Sequence, residues 1–297
     1  MKFGFLFAGQ GQQFYCMGQD LALKYPEAKL IYDQAEKILG YNVLELSAEQ
    51  LKETLYTQPA LYTLGYILDT LLKKNNIIPS IVSGLSLGEY NALSSASALE
   101  FDDGLALIAK RAEIMQNAFE PYSTGMAACL KTNRADIAKI LQGTNIEICN
   151  VNTLSQIVIG GRVAELQEVI QKLKKEKILA IPLKVSTVSH MSLMSEASAL
   201  LQKALSEVKF KAPNIPFINN LSGDYQSDLF HNSLAQHISQ TTELASAILR
   251  MKKDGITNFI EVGPKGSISK FVKELCGAEV EIVNVYDVAS LEGVING

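Results

Sequence analysis

The sequence predicts an α/β protein built on a parallel sheet, with a smaller ferredoxin-like unit inserted once. Three observations carry this expectation. Phe3 to Ala8 is an unbroken apolar run ending in Gly9-Gln10-Gly11, the pattern of a strand covered on both faces. Towards both ends of the chain, short apolar strands alternate with helical periodicities, as successive βα units require. In the middle the rhythm changes to β-α-β-β-α-β within about 60 residues, the ferredoxin-like order.

After the first strand, Pro26 to Leu39 and Pro59 to Lys74 carry apolar residues at three- and four-residue steps. Both begin at a proline, which suits a first helical turn because the missing N–H has no partner there anyway. Ile78 to Ser83 reads as a second strand, followed by Gly84-Leu85-Ser86-Leu87-Gly88 and a helix from Glu89 to Ala98. In the insert, a strand Met126 to Lys131 precedes a helix capped by Asn133, with Asp136 at its third position and Gly143 ending it. Strands Ile146 to Val151 and Gln156 to Gly160 follow, then a helix with apolar positions 163, 166, 170 and 173, then a strand Ile178 to Lys184. Near the C-terminus, strands Asn258 to Val262 and Glu281 to Val285 flank a helix from Ser267 to Leu275. The chain therefore divides into a large α/β domain, residues 1–123 and 189–297, and a small inserted one, residues 124–188.

Composition removes several function classes. With 47% hydrophobic and 20% charged residues over 297 positions, the chain is neither disordered nor of low complexity. Its 27 Lys and Arg against 31 Asp and Glu leave a formal charge of −4, so no global basic field exists to hold a nucleic acid backbone. Cys16, Cys129, Cys149 and Cys276 lack the short paired spacing of zinc or redox sites and read as reduced thiols of a cytoplasmic protein. No apolar run approaches the roughly 18 residues of a membrane helix. The first eight residues lack a cleavage pattern, so they read as a strand and not as a signal segment.

Gly84-Leu85-Ser86-Leu87-Gly88 fits the G-x-S-x-G elbow, in which a serine sits on a sharp strand-to-helix turn and the glycines leave room for it. The following helix presents free N–H groups where an oxyanion would form. Such a serine needs a base, and the histidines are His190, His231 and His237. His231 and His237 fall in a polar stretch where surface histidines are ordinary. His190 follows the last strand of the insert, where the chain re-enters the large domain, so it faces the interdomain cleft. A helix through Leu105, Ile108, Ala112 and Met115 places Arg111 inside its apolar arc. A guanidinium there cannot shed its charge and requires an anion. Two partners are open: a carboxylate elsewhere in the chain, or a substrate carboxylate held bidentately. Gly9-Gln10-Gly11 is not a dinucleotide fingerprint, because Phe14 stands where a third glycine is needed. A backbone N–H aimed at a developing oxyanion is its alternative use.

Phe7-Ala8-Gly9-Gln10-Gly11, Thr57-Gln58-Pro59-Ala60-Leu61, Gly84 to Tyr90, Arg111, Ser189-His190 and Glu261-Val262-Gly263-Pro264 together resemble the malonyl-CoA:acyl carrier protein transacylases of fatty acid synthesis. The resemblance covers nearly the whole chain in the family's order. It implies an α/β-hydrolase-like core with a ferredoxin-like insert. It also implies Ser86 as nucleophile, His190 as its partner, the amides of Gln10 and Leu87 as oxyanion hole, and Arg111 on the malonyl carboxylate. Gln58, Met115, Asn150 and Asn152 match cleft-lining positions, and the carbonyl that orients the histidine is expected at Glu243. Three departures stand out. Leu85 replaces the usual histidine before the serine, Ala8 replaces a proline and predicts a less rigid loop, and Glu243 stands where glutamine or arginine is common.

The resemblance implies transfer of malonyl from malonyl-CoA to the phosphopantetheine thiol of acyl carrier protein, with no cofactor beyond the thioester substrate. Two other readings use the same residues: a serine thioesterase or carboxylesterase, with water as acceptor, and a catalytically silent carrier-binding module. Arg111 argues against the esterase and the intact Ser–His pair against the silent module. Since carrier proteins of this pathway are generally acidic, docking on a chain of charge −4 must use a local basic patch. Lys172, Lys174, Lys175 and Lys177, with Lys184, form the densest candidate, although lysines also complement a helix C-terminus.

Overall fold

The computed structural model describes residues 2–297. Its strands and α-helices run β1 (Phe3–Phe7), α1 (Gln19–Lys24), α2 (Pro26–Leu39), α3 (Thr54–Lys74), β2 (Pro79–Gly84), α4 (Gly88–Ser95) and α5 (Phe101–Gln116). There follow β3 (Thr124–Leu130), α6 (Arg134–Leu141), β4 (Glu147–Val151), β5 (Gln156–Arg162), α7 (Val163–Lys175) and β6 (Leu179–Pro182). The chain closes with α8 (Ser195–Leu205), α9 (Phe230–His237), α10 (Leu244–Lys253), β7 (Asn258–Val262), α11 (Ser267–Cys276), β8 (Glu281–Val285) and α12 (Val288–Ile295).

One sheet is wholly parallel, in the order β2-β1-β7-β8. Its central strand β1 shows why the run Phe3 to Ala8 is continuously apolar. Phe5 and Phe7 pack on one face among α3, α4 and α5, while Leu6 packs on the other with Ile248 of α10 and Phe271 of α11. Both faces are buried, so no polar alternation is possible.

The other sheet is antiparallel, in the order β4-β5-β3-β6. The first and third strands of the predicted β-α-β-β-α-β unit, β3 and β5, are central and the second and fourth, β4 and β6, are edges, as in a ferredoxin-like fold. Ala127, Cys129, Ile157 and Ile159 face α6 and α7, where Ile137, Leu166, Val169 and Leu173 cover them. Met126, Ala128 and Val158 point to the opposite face and line a cleft against the parallel sheet.

Boundaries shift where local chemistry outweighs periodicity. Helix α3 does not begin at Pro59 but one and a half turns earlier, at Thr54, with Pro59 inside it. Its start is held by side chains: the Leu55 N–H donates to Gln116 Oε1 at 2.8 Å, and Thr57 Oγ1 donates to the Leu51 carbonyl at 2.8 Å. The extra turn matters because it carries Thr54 and Gln58 to the cleft. Strand β6 stops at Pro182, and residues 183–187 leave the sheet to form the cleft wall. Asn133 caps α6 as expected, its side chain accepting the Asp136 N–H at 3.0 Å. The Ala8 N–H extends the ladder to the Val262 carbonyl at 2.9 Å, a bond that proline cannot make.

Candidate active site

The site is assembled at the C-terminal ends of β1 and β2. Where β2 ends, Ser86 takes a left-handed conformation with φ 53°, and α4 begins two residues later. The turn fits because the flanking residues are glycines. A Cβ on Gly84 would lie 2.2 Å from the Gly88 carbonyl group, and one on Gly88 would lie 2.2 Å from the Phe7 oxygen. A non-glycine residue in this region costs on the order of 1–3 kcal/mol, so the surroundings must hold it. They do so through the Ser86 N–H, which donates to Asn220 Oδ1 at 2.9 Å, and the Leu85 N–H, which donates to the Phe7 carbonyl at 2.9 Å.

His190 lies across the cleft with its Nε2 2.8 Å from Ser86 Oγ. It too has a positive φ, 63°, and is pinned by its N–H to the Ile238 carbonyl at 2.8 Å. Its Nδ1 lies 2.7 Å from the backbone carbonyl of His237. A proton on Nδ1 leaves the Nε2 lone pair to receive the serine proton. The orienting carbonyl is therefore that of His237, which corrects the expectation at Glu243. The carbonyl of Glu243 instead accepts the Ala247 N–H in the first turn of α10, and its carboxylate pairs with Arg134 at 2.7 Å.

His237 is also not the surface residue expected from its polar neighbours. It is 2% exposed, its Nδ1 2.5 Å from Glu89 Oε2 and its Nε2 2.8 Å from Thr242 Oγ1. The signal was present at helical spacing, since Phe230, Leu234 and His237 fall on one stripe of α9 and all are buried. His231 is half-buried on another face, with its Nε2 2.9 Å from the Val208 carbonyl.

Arg111 is 1% exposed, as its place in the apolar arc of α5 predicts. Among the described residues it makes no ion pair, which removes the internal carboxylate as its partner. Its Nη1 donates to Gln58 Oε1 at 2.7 Å and its Nη2 to Ser86 Oγ at 3.0 Å, while Nε has no partner. Burial lowers its pKa, with Tyr90 and Glu89 acting in the opposite direction. A guanidinium nevertheless remains charged in a protein.

Gln58 ties this cation to the first loop. Its Nε2 donates to Gln10 Oε1 at 3.1 Å and approaches Met115 Sδ at 3.6 Å, and Gln10 Nε2 in turn donates to Thr54 Oγ1 at 3.1 Å. Gln10 and Leu87 both line the cleft beside Ser86, and among the described residues neither backbone N–H has an internal partner. Asn150 and Asn152 line the opposite wall on and beside β4, nearly buried, with Asn152 Oδ1 unpartnered. The cleft encloses about 300 Å³, at the lower end of small-molecule sites. The structure thus brings together every predicted site residue except Glu243. Sequence reasoning missed Asn220, Thr54 and Glu89, of which only Glu89 adjoins a recognisable motif. Among the described residues no cluster of ligating side chains suits a metal ion, and no helix is long and apolar enough to cross a membrane.

Residues 4–289 match the family described as acyl transferase domain. A malonyl CoA-acyl carrier protein transacylase of Bacillus subtilis is 33% identical, covering 98% of this chain and 95% of its own. The chain belongs to the malonyl-CoA:acyl carrier protein transacylase family. Solved structures agree over the full length. MCAT from Streptococcus pneumoniae is 35% identical with a TM-score of 0.93, covering 99% of both chains. A malonyl-transacylase solved in complex with a type II polyketide acyl-carrier protein is 26% identical with a TM-score of 0.95, covering 100% of this chain and 99% of its own.

The pH dependence of this transacylase fold's Ser–His pair follows from its burial. Desolvation, then the neighbouring His237 and also Arg111, hold the His190 pKa well below its ordinary value of 6.5, against the raising effect of the His237 carbonyl. The neutral base persists as pH falls until that lowered pKa is crossed. The acid limb of kcat/KM for Ser86 acylation is therefore expected below pH 6.5, with activity retained at pH 6. A limb centred above 6.5, measured over a pH series at constant ionic strength, would contradict this account.

Proposed function

We propose that this chain transfers a malonyl group from malonyl-CoA to the phosphopantetheine thiol of an acyl carrier protein, through a malonyl-serine ester. The observation that carries the reading is Arg111, a buried cation without an ion-pair partner among the described residues and 3.0 Å from the candidate nucleophile. A malonyl group on Ser86 Oγ carries its carboxylate one methylene beyond the ester carbonyl, within reach of that guanidinium.

In the first half-reaction, His190 Nε2 accepts the Ser86 proton as Oγ attacks the thioester carbon. The N–H groups of Gln10 and Leu87 receive the oxyanion. Collapse breaks the C–S bond, and His190 returns its proton to the coenzyme A thiolate. In the second half, His190 takes the proton of the phosphopantetheine thiol, the sulfur attacks the ester carbon, and Ser86 leaves with a proton from His190. Atoms and charge balance without a cofactor. Gln58 orients Arg111, Met115 packs beside it, and Asn150 and Asn152 supply polar groups on the far wall. We place the reaction in the cytoplasm, where a reducing environment suits four unpaired cysteines.

Substitution Arg111→Ala tests the assignment against an esterase with the same Ser–His pair. Losing one partner of a buried charge pair costs roughly 2–5 kcal/mol, so malonyl transfer is expected to fall about 30- to several thousand-fold. Acetyl transfer from acetyl-CoA, which has no carboxylate to hold, is expected to change little or to rise. Equal losses for both acyl groups would make Arg111 structural.

For the carrier protein, the lysines of the last turn of α7, with Lys177, lead along β6 to Lys184 on the cleft wall. The double reversal Lys174→Glu, Lys175→Glu is expected to raise KM for carrier protein at low salt, with the difference fading towards about 0.5 M salt as exposed charges are screened. Malonyl-serine formation from malonyl-CoA should not change. Unaltered carrier kinetics at low salt would move the docking surface elsewhere.

A further inference from the structure

One buried carboxylate is linked to both members of the Ser86–His190 pair. Glu89 lies in the first turn of α4 and is 2% exposed. Its Oε1 accepts the Asn220 N–H at 2.6 Å, and the Asn220 side chain accepts the Ser86 N–H at 2.9 Å. Its Oε2 faces His237 Nδ1 at 2.5 Å, and the carbonyl of the same His237 receives the Nδ1 of His190 at 2.7 Å. The far nitrogen of His237 is held by Thr242 Oγ1 at 2.8 Å, and the two imidazoles stand 4.5 Å apart.

We propose that the Glu89–His237 pair is a positioning couple that sets the register between nucleophile and base, and thereby the acylation rate. The proposal rests on the reading of Ser86 and His190 given above. Both of those residues have positive φ, so neither backbone rests in its preferred well, and each must be held from outside. One support of each leads to the same carboxylate: the Ser86 backbone through Asn220, and the His190 ring through His237, beside the Ile238 carbonyl that holds the His190 backbone. A buried carboxylate also requires donors on both oxygens, and here Asn220 N–H and His237 Nδ1–H supply them. The pair makes no hydrogen bond to Arg111 or Gln58, so its direct contacts lie on the side of the nucleophile and the base and not on the groups that would hold the substrate carboxylate.

The test is a rapid-quench single turnover at saturating malonyl-CoA, in which the amplitude counts folded sites and the rate constant does not depend on them. Substitution His237→Ala is expected to lower the rate constant of malonyl-serine formation roughly 10- to 100-fold, the scale of a displacement of about 1 Å between reacting groups. The malonyl-CoA concentration giving half the maximal rate should stay within about twofold of wild type. His237→Asn, which keeps an N–H near the Nδ1 position, should restore the rate constant to within about threefold. A purely structural pair would instead lower the amplitude or the Tm of His237→Ala and leave its rate constant at the wild-type value, overturning the proposal. Failure of His237→Asn to recover any rate would overturn it as well. If His237→Ala yields no folded protein, Thr242→Val removes only the outer support of the ring and is expected to slow acylation about three- to tenfold; an unchanged rate constant there overturns the proposal. Absence of malonyl-serine in the wild-type protein would instead refute the underlying Ser–His reading.

Discussion

A guanidinium that cannot lose its proton is buried beside Ser86 Oγ with no ion-pair partner among the described residues, and much of the molecule is arranged around that condition. Burying such a charge is costly unless hydrogen bonds and an opposite charge compensate. The chain supplies part of the compensation from neutral groups, Gln58 Oε1 and Ser86 Oγ, and leaves Nε without a partner. The Tyr90 ring, 5.5 Å from the guanidinium carbon, adds a weak attraction. An incoming carboxylate completes the set. On the function proposed above, these same atoms select an acyl group carrying a negative charge.

Holding that arrangement requires close backbone approach at two places. Gly88 packs against the Phe7 carbonyl and Gly9 against the Leu85 carbonyl, so the loop after β1 and the elbow after β2 share a surface with no side chains between them. Gln10 and Leu87 thereby both line the cleft at Ser86. The parallel sheet is stiffened on both faces by buried helices, and the antiparallel sheet contributes Met126, Ala128 and Val158 as the apolar opposite wall. Function lies at the seam of two sheets, with His190 at the return from one to the other.

Strongly periodic features were legible in the sequence. Strands Asn258–Val262 and Glu281–Val285, the cap at Asn133 and the β-α-β-β-α-β order follow from patterns that depend on near neighbours alone. Ser86 and Arg111 were legible for related reasons, a turn requiring glycines and a cation in an apolar arc. What escaped depends on residues distant in the chain. The start of α3 is set by Gln116, 61 positions away from Leu55. The carbonyl facing His190 comes from His237, 47 positions away, a pairing in space that the family resemblance placed at Glu243. Asn220 stands in an irregular segment between isolated bridges, where no periodicity marks it.

The central claim is that Ser86 carries the acyl group and that the site is built for a carboxylated one. Intact-protein mass spectrometry after brief exposure to malonyl-CoA tests it most directly. The wild-type protein is expected to gain the mass of one malonyl group and to lose it on addition of phosphopantetheinylated carrier protein, which gains the same mass. Ser86→Ala is expected to gain nothing. An adduct that persists in Ser86→Ala, or a wild-type protein that releases free malonate without ever loading the carrier, would contradict the account.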